Sequence, residues 1–261
     1  MRQAAVARIA SACETFLGTE DRPLAAQVLR RVLKPVLDAN GRERKTDEPR
    51  TIDPLRASLL SALGTRGQDP EIIEYCRTEA SRQLTDPRSV DAGIAQAVLD
   101  VASWKGDEEW AGRLRQAFEE AEAPDVRARY LTAMGKFQKP ELARAAMDYS
   151  LTDSVRPTDV HILQGNTGEL AAMRLEWLMK NYDAVKSKVP EDTLPYWASI
   201  LSGAEPDVLA KGRAFFLDPA RRNRLTEVEL TRVVEACELR YALRARNRAG
   251  VLKLFQQLAS R

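Results

Sequence analysis

The chain has 261 residues, 44% of them hydrophobic and 30% charged, which is enough for a sizeable core and unlike a disordered chain. With 40 Lys plus Arg against 38 Asp plus Glu, the net charge is +2, so bulk electrostatics does not argue for nucleic acid or a membrane surface. The single histidine excludes an H-E-x-x-H zinc-peptidase helix, which needs two imidazoles on one face.

In chain order, the start MRQAAVARIASAC has the outline of a short lipoprotein signal with Ala12-Cys13 as cleavage point. Arg8 interrupts its apolar part, and an amphipathic first helix is the favoured reading. Residues 39–51, ANGRERKTDEPRT, form a long polar stretch and predict an exposed loop. Asp69-Pro70 opens a helix over 69–85, with Ile72, Ile73, Cys76, Ala80 and Leu84 at helical spacing. The segments around 90–102 and 170–182 carry broad apolar faces, the second through Ala171, Leu175, Leu178 and Tyr182, widened by Leu170, Met173 and Trp177. Between them, Pro157, Gly165, Asn166 and Gly168 bracket a short helix within 152–168. Thr226 and Glu229 give a capping-box pattern for a helix over 226–241, and a last helix spans 249–259.

Helix starts recur at Pro70, Asp107, Pro140, Glu169 and Pro206, in steps of 37, 33, 29 and 37 residues. Each step holds a helix pair, as in armadillo or HEAT repeats. The expected fold is therefore all-α, a right-handed superhelical stack of antiparallel helix pairs. Residues 1–261 are expected to form one helical-repeat domain, with the loop 39–51 between its first helices and the main stack. No stretch approaches the roughly eighteen apolar residues of a membrane span.

Chemical motifs are scarce. The three cysteines (Cys13, Cys76, Cys237) lack C-x-x-C spacing and read as reduced, buried thiols. There is no phosphate loop and no nucleophile elbow, and a triad would have to use His161, which reads as structural or surface. The most polarised stretch is 221–248, where eight arginines face four glutamates. Arg240, Arg244 and Arg248 follow one another at i, i+4, i+8 along one helix face. Such a row can take carboxylates or phosphates through forked hydrogen bonds. The favoured alternative is a solvated face paired with acids on a neighbouring helix or partner domain.

Two stretches carry a resemblance. VLKPVLDANGRERKTDEPRTIDPLRASLLSALGTRGQDPEIIEYC runs helix, polar loop, then Leu55-Arg56 opening an apolar helix. VRPTDVHILQGNTGELAAMRLEWLMKNYDAV has a Gly/Asn turn, then a helix with Arg174 to Leu178 around Trp177, ending in Lys180-Asn181-Tyr182. Both resemble the C-terminal helical domain of zinc aminopeptidases of the aminopeptidase N type, a group that includes puromycin-sensitive and endoplasmic-reticulum aminopeptidases. The resemblance covers the chain from about residue 15 onward. The G-x-M-E-N and H-E-x-x-H segments of the family's catalytic part are not in this sequence.

The resemblance implies a non-catalytic domain that covers the active-site chamber of a zinc aminopeptidase and helps to bind or select peptides. Its implied partners are the catalytic domain of the same parent protein and the peptide substrate, with no nucleic acid and no membrane. Zinc would belong to that catalytic domain, with no cofactor, metal ligand or catalytic residue in this chain. The candidate substrate-binding residues are Arg156, whose V-R-P-T-D context resembles a family segment, together with Arg240 and Arg244. The compartment, cytoplasmic or periplasmic/secreted, depends on sequence preceding this segment. Two readings from other classes stand beside this one. They are a free-standing helical-repeat scaffold binding a protein or peptide, and a helical-repeat protein gripping a DNA backbone with its arginine row.

Overall fold

A computed structural model describes residues 2–165 and 168–260, and their regular secondary structure is all helical, with no strand among them. The chain divides into two compact units, Met1–Ala133 with Tyr241–Arg261, and Met134–Arg240.

The first unit contains α1 (Arg2–Phe16), α2 (Arg22–Asn40), α3 (Asp53–Gly64), α4 (Pro70–Thr85), α5 (Ala95–Trp104), α6 (Glu108–Glu120) and most of α7 (Pro124–Met134). Local chemistry sets several of the starts. The Asp69 carboxylate accepts from the backbone N–H of Glu71 and Ile72, both at 3.1 Å, and Pro70 fills the first turn where an N–H would be unpaired. Asp107 caps α6 in the same way, accepting from Trp110 N at 2.9 Å. Helix α3 packs against α1, α2, α4 and α5. Leu59, Leu60 and Leu63 are accordingly buried, alongside Leu29, Leu37, Ile72, Cys76 and Leu99.

The second unit contains α8 (Pro140–Ser150), α9 (Ala171–Lys188), α10 (Pro206–Phe216) and the first part of α11 (Arg224–Ser260), with 3-10 segments at Pro157–Gln164, Gly168–Leu170 and Glu191–Leu201. The short helix expected within 152–168 is thus a 3-10 run. The segment Glu191–Leu201 contains Pro195, which cannot donate an α-helical hydrogen bond. At the centre, Trp177 and Trp197 stack with ring centroids 6.4 Å apart and planes 12° apart, and Trp177 Nε1 donates to Asp148 Oδ1 at 2.6 Å. A buried indole N–H needs such an acceptor.

Three expectations are corrected by the structure. The helices 226–241 and 249–259 are one continuous helix, α11. Gly250 does not break it, because a single glycine costs only about 1 kcal/mol in a helix. Thr226 is not the cap of that helix. The Asn223 side chain accepts from Thr226 N at 2.9 Å, and Glu229 pairs instead with Arg232 at 2.8 Å. The loop expected over 39–51 is shorter, because α2 runs to Asn40 and a 3-10 turn begins at Arg50.

Candidate functional site

Arginine contacts recur at helix C-termini, where the last carbonyls have no intrahelical partner and carry partial negative charge. Arg127 Nη1 donates to Phe118 O near the end of α6, at 3.0 Å. Arg77 Nη2 donates to Lys105 O just past α5, at 3.1 Å. Arg221 Nε donates to Phe215 O at 2.9 Å near the end of α10, its guanidinium lying 4.3 Å from the Phe215 ring centroid.

Arg56 makes the fullest clamp of this kind. Its Nε donates to Gly41 O at 3.0 Å and its Nη2 to Asn40 O at 3.2 Å, sealing the end of α2. It also reaches Glu48 at 2.6 Å and Asp53 at 3.2 Å, and only 1% of the residue is exposed. The polar loop after α2 is therefore tied at both ends to one buried guanidinium. The hydrogen bond from Arg56 holds the Glu48 carboxyl below its ordinary 4.5. Sequence reasoning saw Arg56 only as part of a resembling motif, since nothing local marks an arginine as buried.

The three candidate substrate-binding arginines occupy different settings. Arg240 Nη2 donates to Gly203 O at 2.6 Å and Ala204 O at 3.0 Å, within the second unit. Gly203 has φ +76°, and Gly168 packs on it so closely that a Cβ on Gly168 would overlap the Gly203 carbonyl oxygen. Arg244 belongs to the first unit. Its Nε and Nη2 donate to Thr15 O and Glu14 O, both at 3.1 Å, in the last turn of α1. Arg248, next along the row, pairs with Glu20 at 2.6 Å and Asp21 at 2.8 Å. The row does not form a continuous basic face, because its members turn to carbonyls and carboxylates of their own chain. Arg156 is exposed and pairs with Asp159 at 2.7 Å. His161 is exposed, and Asn166 lies outside the described residues.

Two further features belong to the second unit. Arg174 is buried, and burial pushes its guanidinium down to about 10. A groove of about 430 Å³ lies between α10 and α11, with Leu217, Leu230 and Val234 among its lining residues. Two ion pairs lie in its lining, Arg222 with Glu227 at 2.5 Å and Arg213 with Glu238 at 3.8 Å, and Glu235 adds a further carboxylate.

A protein-family model, the ERAP1-like C-terminal domain, matches residues 2–237. The chain belongs to the ERAP1-like C-terminal domain family. No curated protein matches it. The match to the ERAP1-like C-terminal domain runs through both compact units. The residues of this ERAP1-like C-terminal domain do not fit the zinc of an aminopeptidase, because among those described no group of three His, Cys, Asp or Glu is placed to hold a metal ion. Its three thiols are buried and unbridged, with burial pushing Cys13 up to about 11 and Cys76 up to about 12, away from nucleophilic thiolate character. No described helix is long and apolar enough to cross a membrane.

Proposed function

We propose that residues 1–261 act as a single non-catalytic domain of a zinc aminopeptidase of the aminopeptidase N type. In this reading the chain pairs with the catalytic domain, covers its active-site chamber and helps to bind or select peptides. The observation that carries the reading is the family match, which spans nearly all of the chain. The clamps made by Arg56, Arg240 and Arg244 support a scaffolding role, since their donors hold backbone carbonyls of the chain itself. Among the candidate substrate-binding residues Arg156, Arg240 and Arg244, Arg156 is best placed to meet a peptide carboxylate, with its side chain 75% exposed. Zinc, in the catalytic domain, would activate the water that attacks the N-terminal peptide bond.

The test is to mix this chain with a separately expressed aminopeptidase N-type catalytic domain and compare an aminoacyl reporter with peptides of increasing length. The expected result is a complex, a changed rate on long peptides and little change on the reporter. Arg156→Ala should weaken only the long-peptide effect. Chelator-sensitive turnover by the chain alone, or failure to associate with the catalytic domain, would overturn the reading.

A free-standing scaffold is the second reading, and one observation favours it. The outer side of α11 leaves Leu225, Val228 and Leu239 exposed, as in a protein that binds another protein.

A further inference from the structure

Within the second unit, α11 buries Leu230, Val233, Val234 and Cys237 on its inner side. On its outer side, Leu225, Val228 and Leu239 are 59%, 58% and 61% exposed. Isolated exposed apolar residues are ordinary, but these three fall into a pattern. With Arg232 and Glu235, both also exposed, they occupy positions 225, 228, 232, 235 and 239. The steps are three, four, three, four, which is the a/d spacing of a coiled-coil seam.

We propose that this face pairs with the same face of a second copy of the chain, antiparallel about a two-fold axis passing between Val233 and Val234. A two-fold interface must be self-complementary, so whatever position i meets must meet i in return. The stripe satisfies this. Val228 of each copy faces Leu239 of the other, and Arg232 of each faces Glu235 of the other. Leu225 extends the apolar strip by one further turn at both ends. The contact from Val228 to Leu239 covers about 16 Å of helix.

Charge decides the orientation. A parallel pairing in register would set Arg232 on Arg232 and Glu235 on Glu235, and such like-charge contacts cost several kcal/mol. A purely apolar partner would desolvate the arginine and the glutamate without pairing either. An inverted copy supplies both counter-charges. In each copy Arg232 already donates Nε and Nη2 to Glu229, at 3.0 Å and 2.8 Å. A guanidinium with five donors can donate to a second carboxylate beside the first. The seam is short, so the dimer belongs to the weak, concentration-dependent class.

The experiment is sedimentation velocity on the 261-residue chain over a concentration series, with helix content checked for each variant by circular dichroism. All the substituted side chains are exposed. The expected result is a monomer–dimer equilibrium. Arg232→Glu alone should weaken the dimer by at least about tenfold, because it sets two glutamates face to face twice over. The double swap Arg232→Glu with Glu235→Arg should restore it, and Leu239→Glu should abolish it. A chain that stays monomeric throughout overturns the proposal, as does a dimer that the charge reversals leave unchanged. So does a monomer whose stripe is covered only when a catalytic domain is added. The proposal stands or falls without reference to peptidase activity, so its failure leaves the family-based reading untouched.

Discussion

Arg56→Ala is the sharpest test of the clamp account. The substitution removes a guanidinium that makes contacts at 3.0, 3.2, 2.6 and 3.2 Å while almost wholly buried. Hydrogen bonds to charged groups contribute about 1.5–3 kcal/mol each, so a simple sum would exceed about 6 kcal/mol. That sum overshoots, because withdrawing a guanidinium from water costs several kcal/mol that the variant no longer incurs. Breaking a buried pair by removing one partner typically leaves about 3–5 kcal/mol of destabilisation, and the lower part of that range applies because the Glu48 and Asp53 side chains keep 12% and 14% exposure. Locally this should speed amide exchange in peptides covering residues 33–49 by about two to three orders of magnitude. Hydrogen exchange read by mass spectrometry measures this directly. The effect should also depend on pH. Glu48 is held below its ordinary 4.5 by Arg56, so its contribution is complete above that value and is lost as pH falls through the lowered one. The difference between the two proteins should therefore narrow in acid. A change of less than about tenfold at neutral pH would refute the reasoning, since the loop would then be held by something else.

Other consequences are simpler to test. Gly168→Ala should destabilise the protein by about 2 kcal/mol in urea unfolding, because the new Cβ must displace the Gly203 carbonyl; an unchanged midpoint would contradict the packing described. Trp177→Phe keeps the stacked ring but removes the donor to Asp148, and should cost about 1.5–3 kcal/mol, with a thermal scan as readout. A thiol reagent at pH 8 should leave all three cysteines of the native chain unmodified on the timescale of minutes and titrate three after denaturation; rapid native labelling would show that burial does not protect them.

The sequence shows most where structure is local. Asp69-Pro70 and Asp107 declare their helices because a cap and its N–H donors lie within three residues of each other. The same logic misleads at Thr226, since Asn223 three residues earlier fits an N-cap equally well and is the one used. Spacing places Arg240, Arg244 and Arg248 on one face, but their partners lie 36 to 230 residues away, and no pattern within a helix identifies them. The buried state of Arg56 escapes for the same reason. Its carbonyl partners end a different helix, and from sequence alone an arginine is expected in solvent.

The first unit takes in both ends of the chain, with Arg244 sealing α1 and Arg248 pairing beside it. That has a consequence for synthesis. Glu14 and Thr15 leave the ribosome about 230 residues before the arginine that seals them. At about 5–20 residues per second, the end of α1 waits roughly ten to forty-five seconds for its partner. Most of this unit's helices precede the second unit in the chain, yet it can close only once Arg244 has been made. By then the intervening second unit has already been made in full.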